Sequence, residues 1–422
     1  MNRKSNFFAV AFGIFFLVSG LFANEWFLKY FFSPDGRLIL ATRILIWLFD
    51  LVMIGSGVFL LVTKSFPKLI LVCLSIIITL LLIETGLSGY FDLSKDLFIP
   101  NPRNTGSYRL KPGLHIQRKI GAASFLFQTN SLGMPWREVE IENPKNRTRI
   151  AFVGDSFVFG CCASRIENNF VGRIDRKLNS KYEVLNFGVV GYGLADEELM
   201  IREEVLRFHP SYVVLMFYNG NDFSDTFLSL DSKGKLLGIH GRSPDDRPET
   251  ATKFTATQKR LRVITNSALF RVLNQLFETR EDPRKIFADP NRFDSWVYWS
   301  KRTYTPVAEK AKQISLQVLG RILEFCGKNH IQAFVITIPY VNQVYSDEIT
   351  TADYDFNLPQ KYVSDSLKGS SAYYYDLLPP LRNYARNNRN EIYLPGDGHF
   401  NDEGHKLVAE ILFNYFQNEL HQ

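Results

Sequence analysis

Arg149–Gly160 reads RIAFVGDSFVFG, and its two halves obey different rules. IAFVG is a short run of β-branched and aromatic residues that stops at Gly154, the pattern of a buried strand. The residues beyond it turn helical, with a stretch from about Glu167 to Leu178. The same unit recurs downstream. YEVLNFG at Tyr182–Gly188 is a second strand, followed by a helix from about Ala195 to Arg207, and YVVLMFYNGND at Tyr212–Asp222 is a third strand with its turn. Thr305 can cap a long helix with Pro306 at its first position. Val307, Ala311, Ile314, Val318, Ile322 and Phe325 form its apolar face, and Gly327 is placed to end it. IQAFVITIP at Ile331–Pro339 is a fourth strand. The chain closes with EIYLPGDGHFN at Glu391–Asn401 and a helix bearing Val408, Ile411, Leu412 and Tyr415 on one side. This alternation predicts an α/β fold, a three-layer α/β/α arrangement around a mostly parallel sheet. In such sheets ligands bind beyond the carboxyl ends of the strands.

The N-terminal part is different. Phe7–Ala23, Ile44–Val62 and Leu69–Ile83 are apolar runs, the second interrupted by Asp50. A helix needs about 20 residues to cross the hydrocarbon core, so residues 1–91 are expected to form a membrane anchor with about three transmembrane helices. Arg3 and Lys4 favour a cytoplasmic N-terminus and Lys64 and Lys68 a cytoplasmic second loop, although the first loop carries Lys29, Arg37 and Arg43. Three spans deliver the rest of the chain to the extracytoplasmic side, periplasmic or outer. If Phe7–Ala23 is instead a cleaved signal peptide, the side is the same. Residues 92–148, with several Pro and Gly, read as a linker and an irregular or β-rich lead-in. Residues 149–422 form the α/β domain, with an insertion at 223–300. Within it Leu261, Ile264, Ala268, Val272 and Leu276 make a helical stripe, and Phe293, Trp296, Tyr298 and Trp299 follow. The insertion is either a lid or substrate wall, or a decoration that packs on the core.

Composition narrows the function classes. With 46% hydrophobic and 22% charged residues the chain is globular rather than disordered. A net charge of +6 is slight for 422 residues, and Lys and Arg are scattered, which argues against nucleic acid as a partner. The four cysteines are too few for a disulfide scaffold, and with no CxxC pair a structural zinc is not expected. A single bridge from Cys326 to Cys161 or Cys162 stays open. No GxxxxGK[ST] phosphate loop is present, and no cofactor is expected.

Ser156 follows a strand and precedes a helix, so its own backbone N–H lies at a helix N-terminus, where partial positive charge suits a developing oxyanion. Its hydroxyl is a weak nucleophile until a base takes the proton, so a histidine must lie at the same end of the sheet. Of the seven histidines, His115 lies in the lead-in, His209 precedes Pro210, His240 is in the insertion, His330 precedes the fourth strand and His421 is next to last. His399 and His405 remain. His399 sits in a loop with Asp397 two residues earlier, near enough to take its ring N–H and fix the tautomer. His405 falls in the first turn of the last helix, where it caps or packs. A metal site through Asp397, His399 and His405 lacks further ligands in the sequence.

These stretches resemble the blocks of SGNH (GDSL-like) hydrolases. GDSFVFG resembles the first block, NFGVVGYG at Asn186–Gly193 the second, YNGND the third and DGHFNDEGH at Asp397–His405 the last, in the expected order over roughly residues 149–422. The resemblance implies Ser156 as nucleophile, His399 as base and Asp397 as its orienting acid. It further implies an oxyanion hole from the Ser156 N–H, the Gly191 N–H and the Asn221 amide. Gly188 and Gly193 lie close to Gly191, which is chosen by its distance from Asn186. The acid stands two residues before the histidine rather than the commoner three, a spacing similar to that of SGNH-like proteins that O-acetylate exported polysaccharides. Three functions follow as expectations. The first is an esterase acting, through an acyl-enzyme, on O-acyl groups of a cell-envelope glycan or lipid. The second is an O-acyltransferase served by a separate membrane acyl-donor partner. The third is a non-catalytic glycan-binding or scaffold protein, against which the full set of five residues argues.

Overall fold

The strand that starts beside Arg149 is second from the edge of a five-stranded sheet whose neighbours are all parallel. In the computed structural model the described residues are 3–22, 40–64, 97–101, 107–120, 123–178, 181–231, 233–237, 295–346, 351–388, 390–395 and 397–420, with isolated positions between 67 and 84. In chain order the strands are β1 (Phe98–Pro100), β2 (Tyr108–Leu110), β3 (His115–Ile120), β4 (Ala123–Gln128), β5 (Thr148–Gly154), β6 (Tyr182–Gly188), β7 (Tyr212–Tyr218), β8 (Gln332–Ile338) and β9 (Tyr373–Asp376). The large sheet runs β6-β5-β7-β8-β9, and β1-β2 and β3-β4 form two small antiparallel pairs. The order reverses direction between β5 and β7. That reversal opens a crevice at the carboxyl ends of these two strands, where parallel sheets bind ligands.

Ile150, Ala151, Phe152 and Val153 are all buried, so β5 is covered on both faces and reads as a continuous apolar run rather than an alternating one. Helices Phe170–Lys177 and Asp402–Glu419 pack together on one side, where Phe152 meets Phe170 and Phe416. Helices Leu194–Glu203, Asp222–Leu228 and Pro306–Lys328 pack on one another on the opposite side. The lead-in joins the same core through Tyr108, Leu110, Phe125, Phe127 and Trp136. It is pinned by Arg149, 1% exposed, which pairs with Glu183 at 2.8 Å and donates to the carbonyls of Glu140, Ile141, Glu142 and Phe208.

Several expectations need correction. Thr305 does cap the long helix, accepting from the Ala308 N–H, but Gly327 does not end it. The helix runs on to Lys328, Asn329 closes it by bonding back to Phe325 and Cys326, and the left-handed residue is His330, with φ 56°. Glu391–Asn401 is the loop that carries His399, as expected. Pro395 lacks an N–H and Gly398 takes φ 87°, so the chain folds back on itself with one antiparallel bridge between Tyr393 and Phe400. The fifth strand, β9, was not foreseen. The possible Cys326 bridge is absent: Cys161, Cys162 and Cys326 are free.

The larger compact unit is built from Asp96–Thr250 and Asp282–Gln422, and Met1–Lys95 belong to a second unit. In that second unit the helices Arg3–Phe22 and Leu40–Thr63 pack closely at Gly13 and Gly57. Among the described residues no helix is long and apolar enough to cross a membrane, so the three expected spans find no support in the structure. Asp50 interrupts the second run, and most of Leu69–Ile83 lies outside the described residues. The stripe Leu261–Leu276 and Phe293 lie outside them too.

Candidate active site

Asp155 ends β5 and caps a single helical turn, Ser156–Phe159, its Oδ1 accepting the Phe157 N–H at 2.9 Å. Gly160 stops that turn in the left-handed region, with its N–H on the Phe157 carbonyl at 3.1 Å and the Cys161 N–H on the Ser156 carbonyl at 2.9 Å. This is a Schellman closure, which needs glycine at the left-handed position. Asn186 holds the turn from behind: its amide donates to the Val158 carbonyl at 2.8 Å and its Oδ1 accepts the Gly188 N–H at 2.9 Å. Ser156 is thereby fixed at the mouth of the β5/β7 crevice.

His399 Nε2 lies 2.8 Å from Ser156 Oγ, and His399 Nδ1 is hydrogen-bonded to Asp397 Oδ1. The structure therefore brings Ser156, His399 and Asp397 into one chain of hydrogen bonds. The Phe157 ring packs on the imidazole at 5.1 Å between centroids. Burial raises the Asp397 carboxyl, but its hydrogen bond to His399 and the charge there prevail and hold it below the usual range. Burial would lower the His399 pKa, yet the charge of Cys161, the Asp397 hydrogen bond and the charges of Asp397 and Asp155 outweigh it and raise it to about 9.

Gly191 takes φ 77°, and a Cβ there would stand 3.0 Å from the Tyr108 hydroxyl. That hydroxyl donates to the Val190 carbonyl at 3.0 Å, and the Tyr192 hydroxyl donates back to the Tyr108 carbonyl, so the lead-in braces the loop that carries Gly191. Asn221 stands at the head of Asp222–Leu228 and donates to Asp225 Oδ2 at 2.8 Å. Asp155, next to the nucleophile, is fully buried, and burial raises its pKa. The Asp225 carboxylate thus orients the amide, a feature that the motif does not disclose. Trp296, equally unforeseen as a neighbour, packs on Gly398 so tightly that a Cβ there would come within 2.1 Å of its ring, and its ring lies 6.3 Å from that of Tyr218. The aromatic end of the insertion is therefore a wall of the loop that presents His399.

His405 is fully buried, accepts the Phe170 N–H at 3.3 Å through Nδ1 and lies 3.4 Å from the Cys161 carbonyl through Nε2. Burial lowers its pKa to about 4, so it packs as a neutral ring. His405→Ala is expected to lower the melting temperature while kcat of the folded fraction stays near wild type. A kcat loss in a fully folded variant would contradict this placement.

Behind the nucleophile, Glu197 and Asp222 are fully buried. Among the described residues neither Glu197 oxygen nor Asp222 Oδ1 has a hydrogen-bond partner. Burial first, then Asp155 and Asp196, raises the Glu197 pKa well above 4.5, and burial, Glu197 and Asp155 do the same to Asp222. A carboxyl raised on folding contributes stability in acid and loses it as pH climbs past its unfolded value. Glu197→Gln is therefore expected to raise thermal stability at pH 8 more than at pH 5, as denaturation at the two pH values would show.

No protein-family model matches this sequence, and no curated protein does. Among solved structures, the chain is similar to a two-domain esterase active on acetylated mannans, at 13% identity and a TM-score of 0.35 over 65% of this chain. It spans 49% of that protein, about half its length. It is similar to a catalytic mutant of an acetylxylan esterase from Geobacillus stearothermophilus, at 11% identity and a TM-score of 0.36 over 63% of this chain and 93% of that one. A GDSL-like lipase from Bacteroides thetaiotaomicron gives 11% identity and a TM-score of 0.33 over 67% and 93%.

Proposed function

We propose that this protein is a serine esterase that removes O-acyl groups from an extracytoplasmic, cell-envelope substrate through an acyl-enzyme on Ser156. One observation carries the reading: the continuous hydrogen bonding from Ser156 Oγ through the His399 ring to Asp397. His399 Nε2 takes the hydroxyl proton as Oγ bonds to the ester carbonyl carbon, and Asp397 stabilises the imidazolium formed. The carbonyl oxygen becomes an oxyanion facing the N–H groups of Ser156 and Gly191 and the Asn221 amide. Collapse breaks the ester bond, with the Nε2 proton passing to the departing alcohol. Water then repeats the sequence on the acyl-enzyme and restores Ser156. Acetate release from acetylated xylan and from purified envelope fractions tests this against Ser156→Ala, and equal release by the variant would end the proposal.

The short Asp397–His399 spacing favours a second reading, in which a sugar hydroxyl replaces the water and the acyl group is transferred. Acetate retained on a polymer without net release would mark it. For location, the support is the apolar surface of the N-terminal unit, where Phe7, Leu21, Leu51 and Val62 are 62–75% exposed. A soluble surface rarely leaves large apolar patches uncovered, and a lipid bilayer would cover them. The protein should stay with membranes through alkaline extraction, and a reporter placed after Gln422 should be exported. Release at alkaline pH, or a cytoplasmic reporter, would overturn this placement.

A further inference from the structure

The turn that carries Ser156 delivers two thiols to the same pocket. Because Gly160 reverses the chain, Cys161 and Cys162 follow the nucleophile directly, and Cys162 sits at φ 74°, a region that non-glycine residues seldom occupy. Their sulfurs are 3.5 Å apart, and Cys162 Sγ is 3.7 Å from Asp397 Oδ1. One ligand atom from each of Cys161, Cys162 and His399 falls within 4.8 Å of the others. Neither thiol forms or breaks a bond in the ester chemistry.

We infer that Cys161, Cys162 and His399 form a binding site for a thiophilic divalent cation of the zinc class, and that the bound cation silences the esterase. Zinc bonds sulfur at about 2.3 Å and imidazole nitrogen at about 2.0–2.1 Å, so two thiolates on one tetrahedral ion lie roughly 3.8 Å apart. The observed 3.5 Å needs only a small adjustment. On binding, each thiol releases a proton to solvent, and two S–metal bonds and one N–metal bond form without any change of oxidation state. Asp397 Oδ1 is close enough to Cys162 to complete the shell. The cost falls on His399. Its two ring nitrogens are committed to Ser156 and Asp397, so a metal bond at either one breaks the chain that activates the serine.

Binding can be tested whether or not the protein is an esterase, whereas silencing rests on that reading. The full-length protein, kept reduced with a phosphine, is titrated with Cd2+ and followed by thiolate-to-metal charge-transfer absorption. A single equivalent should bind. The signal should vanish in Cys161→Ser/Cys162→Ser, weaken in His399→Ala and persist in Cys326→Ser, whose buried thiol lies elsewhere. Cys161→Ser alone serves if the double variant does not fold. In parallel, Zn2+ should lower turnover of 4-nitrophenyl acetate by about 10²-fold or more, the contribution of a general base, and EDTA should restore it. Cys161→Ser should lose the Zn2+ sensitivity, its turnover with and without Zn2+ agreeing within about twofold. Absence of the absorption in the wild type, or its survival in the double variant, would overturn the site. Undiminished Zn2+ inhibition of Cys161→Ser would overturn the silencing.

Discussion

Ser156→Ala is expected to lower turnover of 4-nitrophenyl acetate by roughly 10⁴- to 10⁶-fold, the range seen when a nucleophile that acts as a unit with its base is removed. His399→Ala should cost a similar factor. The double variant should be little worse than either single one, because neither residue works without the other. Melting temperatures should hardly move, since among the described residues the Ser156 hydroxyl bonds only to His399 and, at 3.4 Å, Asp155. The pH profile follows from the same contact. The base must be neutral to accept the serine proton, and the His399 pKa is raised from 6.5 to about 9. kcat/KM should therefore rise with pH and level off above about 9, and a plateau already complete at neutral pH would contradict the electrostatics of the pocket. Independent single-variant losses that multiply in the double variant would contradict the shared hydrogen-bond chain.

Asn221→Ala should be the next most damaging change, lowering kcat by roughly 10²–10³-fold with little effect on KM, as expected when a donor to transition-state charge is lost. The structure adds a condition. Asp225 holds one N–H of the Asn221 amide, which orients the group and leaves its second N–H for the oxyanion, while Asn221 Oδ1 is buried without a partner among the described residues. Asp225→Asn should release that grip and cost part of the same factor through kcat. Asn221→Asp should be at least as severe as alanine, because it sets a carboxylate against Asp155 and against the oxyanion. A folded Asn221→Ala enzyme with near-normal kcat would leave Asn221 only its position at the head of Asp222–Leu228.

The central sheet was legible because β5, β6, β7 and β8 are buried on both faces and therefore appear as unbroken apolar runs. β9 was not: YYYD is short, sits at the sheet edge and leaves every side chain half-buried, so no run announces it. Gly327 misled for a related reason, since a glycine near a helix end suggests a cap while the chain placed its left-handed residue at His330. The Ser156, Asp397 and His399 triad was legible because each residue sits in a short local pattern at the end of an element. Tyr108 bracing the Gly191 loop, Trp296 against Gly398 and Cys162 beside Asp397 were not. Each joins residues far apart in the chain, and only the folded sheet brings them together. The Asp225 carboxylate that holds Asn221 was hidden too, although it lies only one helical turn away.

The most direct test of the account is covalent labelling of the full-length protein with a fluorophosphonate, followed by peptide mass spectrometry. The account requires a single adduct, on Ser156, that forms more slowly when His399 is replaced by alanine and is absent from Ser156→Ala. An adduct on any other residue, or undiminished labelling of Ser156→Ala, would contradict it.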